Sequence, residues 1–228
     1  MRVVTWNIQK GIGLDFRRDL GRTVKVLEGL GADVIGLQEV LRTGEGDQAE
    51  TVARELGMDL AWGRARAARG GEYGNALLVR GAAHFECVHD LGIPWRENRV
   101  ALQAVAEVSG VRVRMFVCHL GLGFGERRKQ IATLTAHLRS APKTEPRLVM
   151  GDFNEPHAGP VRRALAEEFP DAPAPLRTHP SMLPLMSLDR IAWDAPLRGD
   201  VRVVPVQGAS DHRALLATLD CMPGLNCS

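Results

Sequence analysis

The amino-acid sequence predicts one α/β domain in which strands lie packed between helical layers. Three observations lead there. Runs of apolar, β-branched residues alternate with amphipathic helical stretches along the whole chain. Some of those runs, such as residues 34–37, are uniformly apolar and bounded by turn signals, which suits strands buried on both faces. The 228 residues, 45% hydrophobic and 25% charged, have the ordinary globular balance that fills one substantial core.

Taken in order, residues 2–8 alternate and are rich in β-branched side chains, so they read as a strand entering a Gly-rich turn at 10–13. A helix follows with Leu20, Val24, Leu27 and Leu30 on one face, stopped by Gly31. The strand at 34–37 then delivers Gln38 and Glu39 at its end, and a second helix covers 47–56. Strands are expected at 76–79, 100–108 and 111–119, the last two joined in a hairpin by Ser109-Gly110. A helix over 126–138 buries Ile131, Leu134 and Leu138, and a strand at 148–151 ends on Asp152-Phe153-Asn154. After a loop at 155–159 comes a helix over 161–169. The Pro-rich stretch 170–184 must cross the surface in irregular or extended form. Strands at 188–193 and 212–219 close a domain of residues 1–220, leaving a tail at 221–228.

A formal net charge of +2, from 29 Lys plus Arg against 27 Asp plus Glu, neither implies nor forbids a nucleic-acid partner. The cysteines lack zinc spacing; Cys221 and Cys227 can pair under oxidation or remain free thiols of a surface tail. The first residues already read as a strand, and no apolar run reaches membrane-spanning length. A cytoplasmic monomer without stable membrane insertion is expected.

Polar residues gather where apolar strands end: Asn7, Glu39, His119, Asp152 with Asn154, and Asp211 with His212, while Asp189 stands near the start of its own strand. Any one of them fits turn or capping duty. Their repetition points to a shared site. Carboxylate and carboxamide oxygens suit Mg²⁺, Mn²⁺ or Ca²⁺ rather than zinc.

Thr5-Trp6-Asn7-Ile8, Leu37-Gln38-Glu39-Val40, Cys118-His119-Leu120, Gly151-Asp152-Phe153-Asn154, Leu188-Asp189-Arg190-Ile191 and Ser210-Asp211-His212 occur in that order. This set resembles the endonuclease/exonuclease/phosphatase superfamily, the DNase I-like enzymes, and in particular its small bacterial members. The resemblance implies a four-layer α/β/β/α sandwich of two mixed sheets flanked by helices, with the site at one edge of both. It also implies a phosphoesterase dependent on Mg²⁺ or Mn²⁺, favouring hydrolysis of a phosphodiester by metal-activated water. DNA endonuclease or exonuclease action is the alternative, and a non-catalytic binding module the remote one. The substrate would be a phosphate ester: nucleic acid, phospholipid head group or small phosphodiester.

Under that resemblance Glu39, Asn7 and Asp211 are metal residues. Asp152 orients and deprotonates the attacking water, with Asn154 beside it, while Asp189 fixes His212. His212 contacts the phosphoryl oxygens or serves as the base in the competing assignment, and His119 is a second phosphate-contacting histidine. Tyr73, Asn75 and Arg99 are expected near the substrate phosphate, with Asn75 a partner for His119 or simply a core residue. Gln9 departs from the histidine that close bacterial relatives often carry. His84, His89, His137, His157 and His179 have no motif support and are assigned to surface or core. Cys118 is expected to point away from the site. Arg64, Arg66 and Arg69 form a local basic cluster that meets a polyanion or lipid head group, or is merely solvated. Arg127, Arg128 and Lys129 oppose the dipole at the start of their helix.

Overall fold

The computed structural model describes residues 1–44 and 46–221. Among these residues twelve strands form two mixed sheets. The larger contains β1 (Arg2–Asn7), β2 (Val34–Thr43), β3 (Gly46–Asp47), β4 (Asp59–Ala68), β5 (Gly71–Val79), β11 (Leu197–Val204) and β12 (Ala214–Cys221). Its order is β11-β12-β1-β2-β5-β4, with β3 appended to β2. The smaller contains β6 (Ala83–Asp90), β7 (Val100–Val108), β8 (Val111–His119), β9 (Arg147–Asp152) and β10 (Asp189–Trp193), in the order β10-β9-β8-β7-β6. The helices are α1 (Leu20–Leu30), α2 (Gln48–Leu56), α3 (Phe124–Ser140) and α4 (Pro160–Glu168).

Three buried clusters separate four layers. One, with Val3, Leu77, Leu102, Val117 and Met150, lies between the sheets. A second, with Trp6, Leu27, Ile35 and Val52, joins the larger sheet to α1 and α2. The third, with Phe116, Leu134, Phe153 and Leu165, joins the smaller sheet to α3 and α4. Alternate residues of one strand therefore enter different cores: Val117 faces the other sheet while Cys118 faces α3. This is the four-layer sandwich expected from the sequence.

Close packing leaves no room for a side chain at Gly36, between the sheets, or at Gly151, within the smaller one. A Cβ at Gly36 would come within 2.7 Å of the Met150 sulfur on the facing sheet. At Gly151 (φ 148°) it would fall 1.9 Å from the Cys118 carbonyl oxygen of the adjoining strand. Gly151→Ala is expected to cost at least ~3 kcal/mol and lower the melting temperature by ~10 °C in a thermal melt. A shift under ~2 °C would show that the two strands separate freely.

Local chemistry explains the helix boundaries. Asp19 and Asp47 cap α1 and α2 by accepting from the N–H groups of Gly21 and Glu50, and Gly31 and Gly57 end them in left-handed conformation. The hairpin between β7 and β8 turns on Ser109 and Gly110, both at positive φ. The loop at 155–159 holds a capping residue, since the Glu155 carboxylate accepts from the N–H groups of Val161 and Arg162 at the start of α4.

Other expectations needed correction. Strands β4, β6 and β11 were not anticipated, because small and charged residues such as those of 59–68 blur their alternation. Strand β5 begins at Gly71 rather than residue 76, and β2 continues to Thr43 instead of ending at Glu39. Asp211 and His212 precede β12 rather than belong to it or end a strand. Because β12 runs antiparallel to β1, they still reach the edge where β1 ends. Residues 170–184 do lack helix and strand, though Thr178 within them is fully buried. A pairing of Cys221 with Cys227 falls partly outside the described residues. Among those described, no helix is long and apolar enough to cross a membrane.

Candidate active site

Strand register assembles one polar pocket. In the larger sheet Asn7 pairs with Gln38 across parallel β1 and β2. In the smaller sheet His119 pairs with Asp152, and Asp152 with Asp189. The facing edges of the two sheets enclose about 510 Å³, lined among others by Asn7, Glu39, Tyr73, Arg99, His119, Asp152, Asn154, Asp211 and His212. Asp189 lies fully buried behind His212, and Asn75 is absent from the wall.

Glu39 sits at a bulge where the β2–β5 register shifts between Leu37 and Val40, with φ 57°. A non-glycine residue in this conformation stores ~1–3 kcal/mol of strain, and here the bulge turns a carboxylate into the pocket. Its Oε2 accepts from Lys10 Nζ at 2.6 Å. Asn7 Nδ2 donates to Asp152 Oδ2 at 3.0 Å and lies 3.5 Å from Glu39 Oε1, bridging the two acids.

Asp152 is the electrostatic centre. Its Oδ1 accepts from the Asn154 N–H at 2.9 Å, and Asn154, itself left-handed at φ 53°, donates its side-chain amide to the Leu120 carbonyl. Burial first, then the Asp189 carboxylate, push the Asp152 carboxyl up to about 6 despite opposing help from His212, Asn7 and Asn154.

Two of the pocket histidines, His119 and His212, are held in opposite states. Arg99 Nη1 donates to His119 Nδ1 at 3.1 Å. A guanidinium cannot accept, so the ring proton resides on Nε2, which lies 3.5 Å from Asp152 Oδ2. Burial and the charges of Arg99, His212 and Lys10 hold His119 well below its usual range, hence neutral. At His212, burial also disfavours charge, but the Asp189 carboxylate, 2.9 Å from Nδ1, outweighs it with aid from Asp152 and Asp211, pushing the imidazole up to about 10. Its Nε2 lies 3.7 Å from Asp152 Oδ2.

The loop carrying His212 is pinned in place. Trp6 Nε1 donates to the His212 carbonyl at 3.0 Å, and Ser210 Oγ donates to the Asn7 carbonyl at 2.7 Å. The Ser of the Ser-Asp-His motif and the Trp of the Thr-Trp-Asn motif are thus fasteners between β1 and this loop.

Three placements differ from expectation. Asn75 donates to the Val100 carbonyl, and Arg99 occupies the position beside His119 instead. Asp211 clusters with His179 and His212, a grouping that does not include Glu39. His179, assigned to surface or core, lines the pocket, lies 3.7 Å from Asp211 Oδ2 and packs its ring 4.8 Å from that of His212. No sequence motif surrounds His179. The signal was its position in a Pro-rich segment too buried at Thr178 to be a simple surface loop. Arg127 is largely consumed by the carbonyls of Gly121 and Leu122, which shapes the turn after His119. Cys118 points into the core beneath α3, where burial raises its thiol and keeps it protonated.

A sandwich with acids and histidines gathered at one edge of both sheets is the architecture of hydrolases that act on phosphate esters. The chain belongs to the endonuclease/exonuclease/phosphatase family, whose model matches residues 4–212. It is 32% identical to the uncharacterized protein YbhP of Escherichia coli (strain K12), over 96% of this chain and 95% of the relative. Among solved structures it resembles an endonuclease/exonuclease/phosphatase from Bacteroides vulgatus, with a TM-score of 0.78 and 18% identity over 97% of this chain and 98% of that one. It also resembles the human Nocturnin catalytic domain with a bound sulfate anion, with a TM-score of 0.76 and 21% identity over 97% and 93% of the two chains.

Proposed function

We propose that the protein is a Mg²⁺- or Mn²⁺-dependent phosphodiesterase that attacks its substrate with an activated water. The observation that carries this reading is the Asp152 carboxyl, brought near neutrality between a neutral His119 and a charged His212. One group is then poised to accept a proton while another holds positive charge for a phosphoryl oxygen.

The donor set fits a hard divalent cation. Glu39 offers a carboxylate next to Asn7 and Asp152, and it already draws a cation, the Lys10 ammonium. His179 Nε2 and Asp211 Oδ2, 3.7 Å apart, bring two further ligand atoms together, while His212, held charged, offers no lone pair to an ion. Asp189 Oδ1 is buried without a hydrogen-bond partner, as expected where water or a cation completes a site. Glu39 with Asn7 would hold the ion, and Asp211 with His179 would supply a second position. When bound, the ion neutralises a phosphate oxygen and lowers the pKa of water.

The chain's own residues do the rest. Asp152 orients water and takes its proton, and Asn7 and the Asn154 N–H fix the direction of its oxygens. His212, kept charged by Asp189, stabilises the negative charge that grows on the phosphoryl group, and neutral His119 donates from Nε2. Arg99 sets that tautomer and draws anionic ester into the pocket.

Hydrolysis of bis-p-nitrophenyl phosphate with Mg²⁺ or Mn²⁺ tests this reading. Turnover should require the ion and fall on the order of 10²-fold or more in Glu39→Ala and in His212→Ala. A wild-type protein inert toward every phosphoester offered would remove it. Plasmid nicking beside the same assay separates DNA cleavage, the second reading, from action on small diesters.

A further inference from the structure

Beside the catalytic pocket, and continuous with it through Lys10, Arg66 and Tyr73, runs a second groove of about 640 Å³. The pocket contains four acids, Glu39, Glu97, Asp152 and Asp211; the described lining of the groove contains none and adds Arg18 and Arg69. We propose that this groove seats a second phosphate of the same substrate. The substrates are then esters bearing another phosphate beyond the scissile one, whether the next along a strand or the second of a small bisphosphate. This deepens the phosphodiesterase reading and rests on it.

The distribution of ion pairs carries the argument. Lys10 is matched by Glu39 at 2.6 Å, and Arg66 is paired with Glu97 while its guanidinium lies over the Tyr73 ring at 4.4 Å. Both belong to the shared wall, where pocket acids balance them. Arg18 and Arg69 are exposed and have no ion pair among the described residues. Arg64, their neighbour in sequence, lines neither cavity and is paired with Glu72. Of the Arg64, Arg66 and Arg69 cluster, only Arg69 has no ion pair among the described residues. Arg18 joins it from the loop before α1, so two distant segments supply unbalanced positive charge to one concave surface that opens into the catalytic pocket. From the groove the way into the catalytic pocket passes Lys10 and Arg66, which Glu39 and Glu97 balance, so the excess positive charge lies at the groove itself.

Binding of a fluorescein-labelled oligothymidylate, measured by anisotropy in EDTA from low to moderate salt, tests the groove independently of turnover. Arg18→Ala/Arg69→Ala should raise Kd about tenfold and reduce the slope of log K against log salt by ~0.7, the share of one single-strand phosphate contact. Arg18→Lys/Arg69→Lys should restore most of both. In parallel, a 3′-phosphate on thymidine 5′-p-nitrophenyl phosphate should lower KM in wild type and not in the alanine variant, whose KM for bis-p-nitrophenyl phosphate stays within twofold. A 3′-phosphate effect identifies small bisphosphates as sufficient, whereas an effect confined to the oligonucleotide identifies a strand. Unchanged Kd and salt slope in the alanine variant overturn the proposal. So does loss of binding to anionic lipid vesicles with oligothymidylate binding intact. Absence of wild-type turnover with the anisotropy result intact would instead count against the phosphodiesterase reading alone.

Discussion

Asp152→Asn should make the metal-free protein more stable at pH 8 while lowering phosphoester turnover on the order of 10³-fold. The sign follows from the shift: the folded-state carboxyl is at about 6 against 3.8 for the free group, so folding favours its protonated form. Stability is therefore lost as pH rises from about 4 to about 6, and above that the buried, ionised Asp152 is a standing cost. Two pKa units correspond to ~3 kcal/mol, of which asparagine should recover ~2 kcal/mol, since its amide cannot reproduce both accepted hydrogen bonds. At 228 residues that is a melting-temperature rise of ~5 °C. The difference between variant and wild type should shrink as pH falls from 6 to 4 and level off below 3.8, where wild-type Asp152 is protonated in both states. Thermal melts in EDTA across this range check it. Equal melting temperatures at pH 8 would show that ionised Asp152 carries no such cost, and a variant retaining a tenth of wild-type turnover would show that it is not the proton acceptor.

The same residue shows what was legible in the sequence. Asp152 and Asn154 follow an apolar run that ends at the site, and His212 stands just before one begins, so the order of the short motifs, more than strand ends alone, brought these residues forward. Elements with clean periodicity, such as β7 and β8, were readable to the residue. Strands β4, β6 and β11 carry exposed charges and small residues, and their strand character comes from pairing partners that one sequence does not reveal. Glu39 was found by motif, but not the bulge that aims it, because a register shift depends on two strands at once. His179 was missed for a related reason: its place in the site is set by the loop at 179–186 closing on Asp211 through the Ser181 N–H, a tertiary contact with no local signature. The choice between Asn75 and Arg99 as the partner of His119 turned on side-chain reach, which sequence spacing does not contain.

Asp189→Asn should shift both limbs of the pH profile of kcat/KM downward, and the direction distinguishes the two assignments of His212. Asp189 does not line the pocket; it acts through its neighbours as a positioning residue. Its carboxylate is the main influence raising His212 to about 10 against burial, and after burial it is the main influence raising Asp152 to about 6. For His212, a folded pKa above the free value of 6.5 means stabilisation fully present below about 6.5 and lost as pH rises through about 10. Removing the charge takes that stabilisation away in the neutral range and moves the alkaline limb down by ~2 pH units. The acid limb should move down as well, because Asp152 then ionises more readily. If His212 works as the imidazolium, kcat/KM should fall about twofold at pH 8 and about tenfold at pH 9, and recover toward pH 6. If His212 were the base, the lowered pKa would enlarge its neutral fraction, and activity at pH 6.5 to 8 would be held or raised. A profile that keeps both limbs in place and loses only amplitude would mean that Asp189 does no more than fix the ring's orientation.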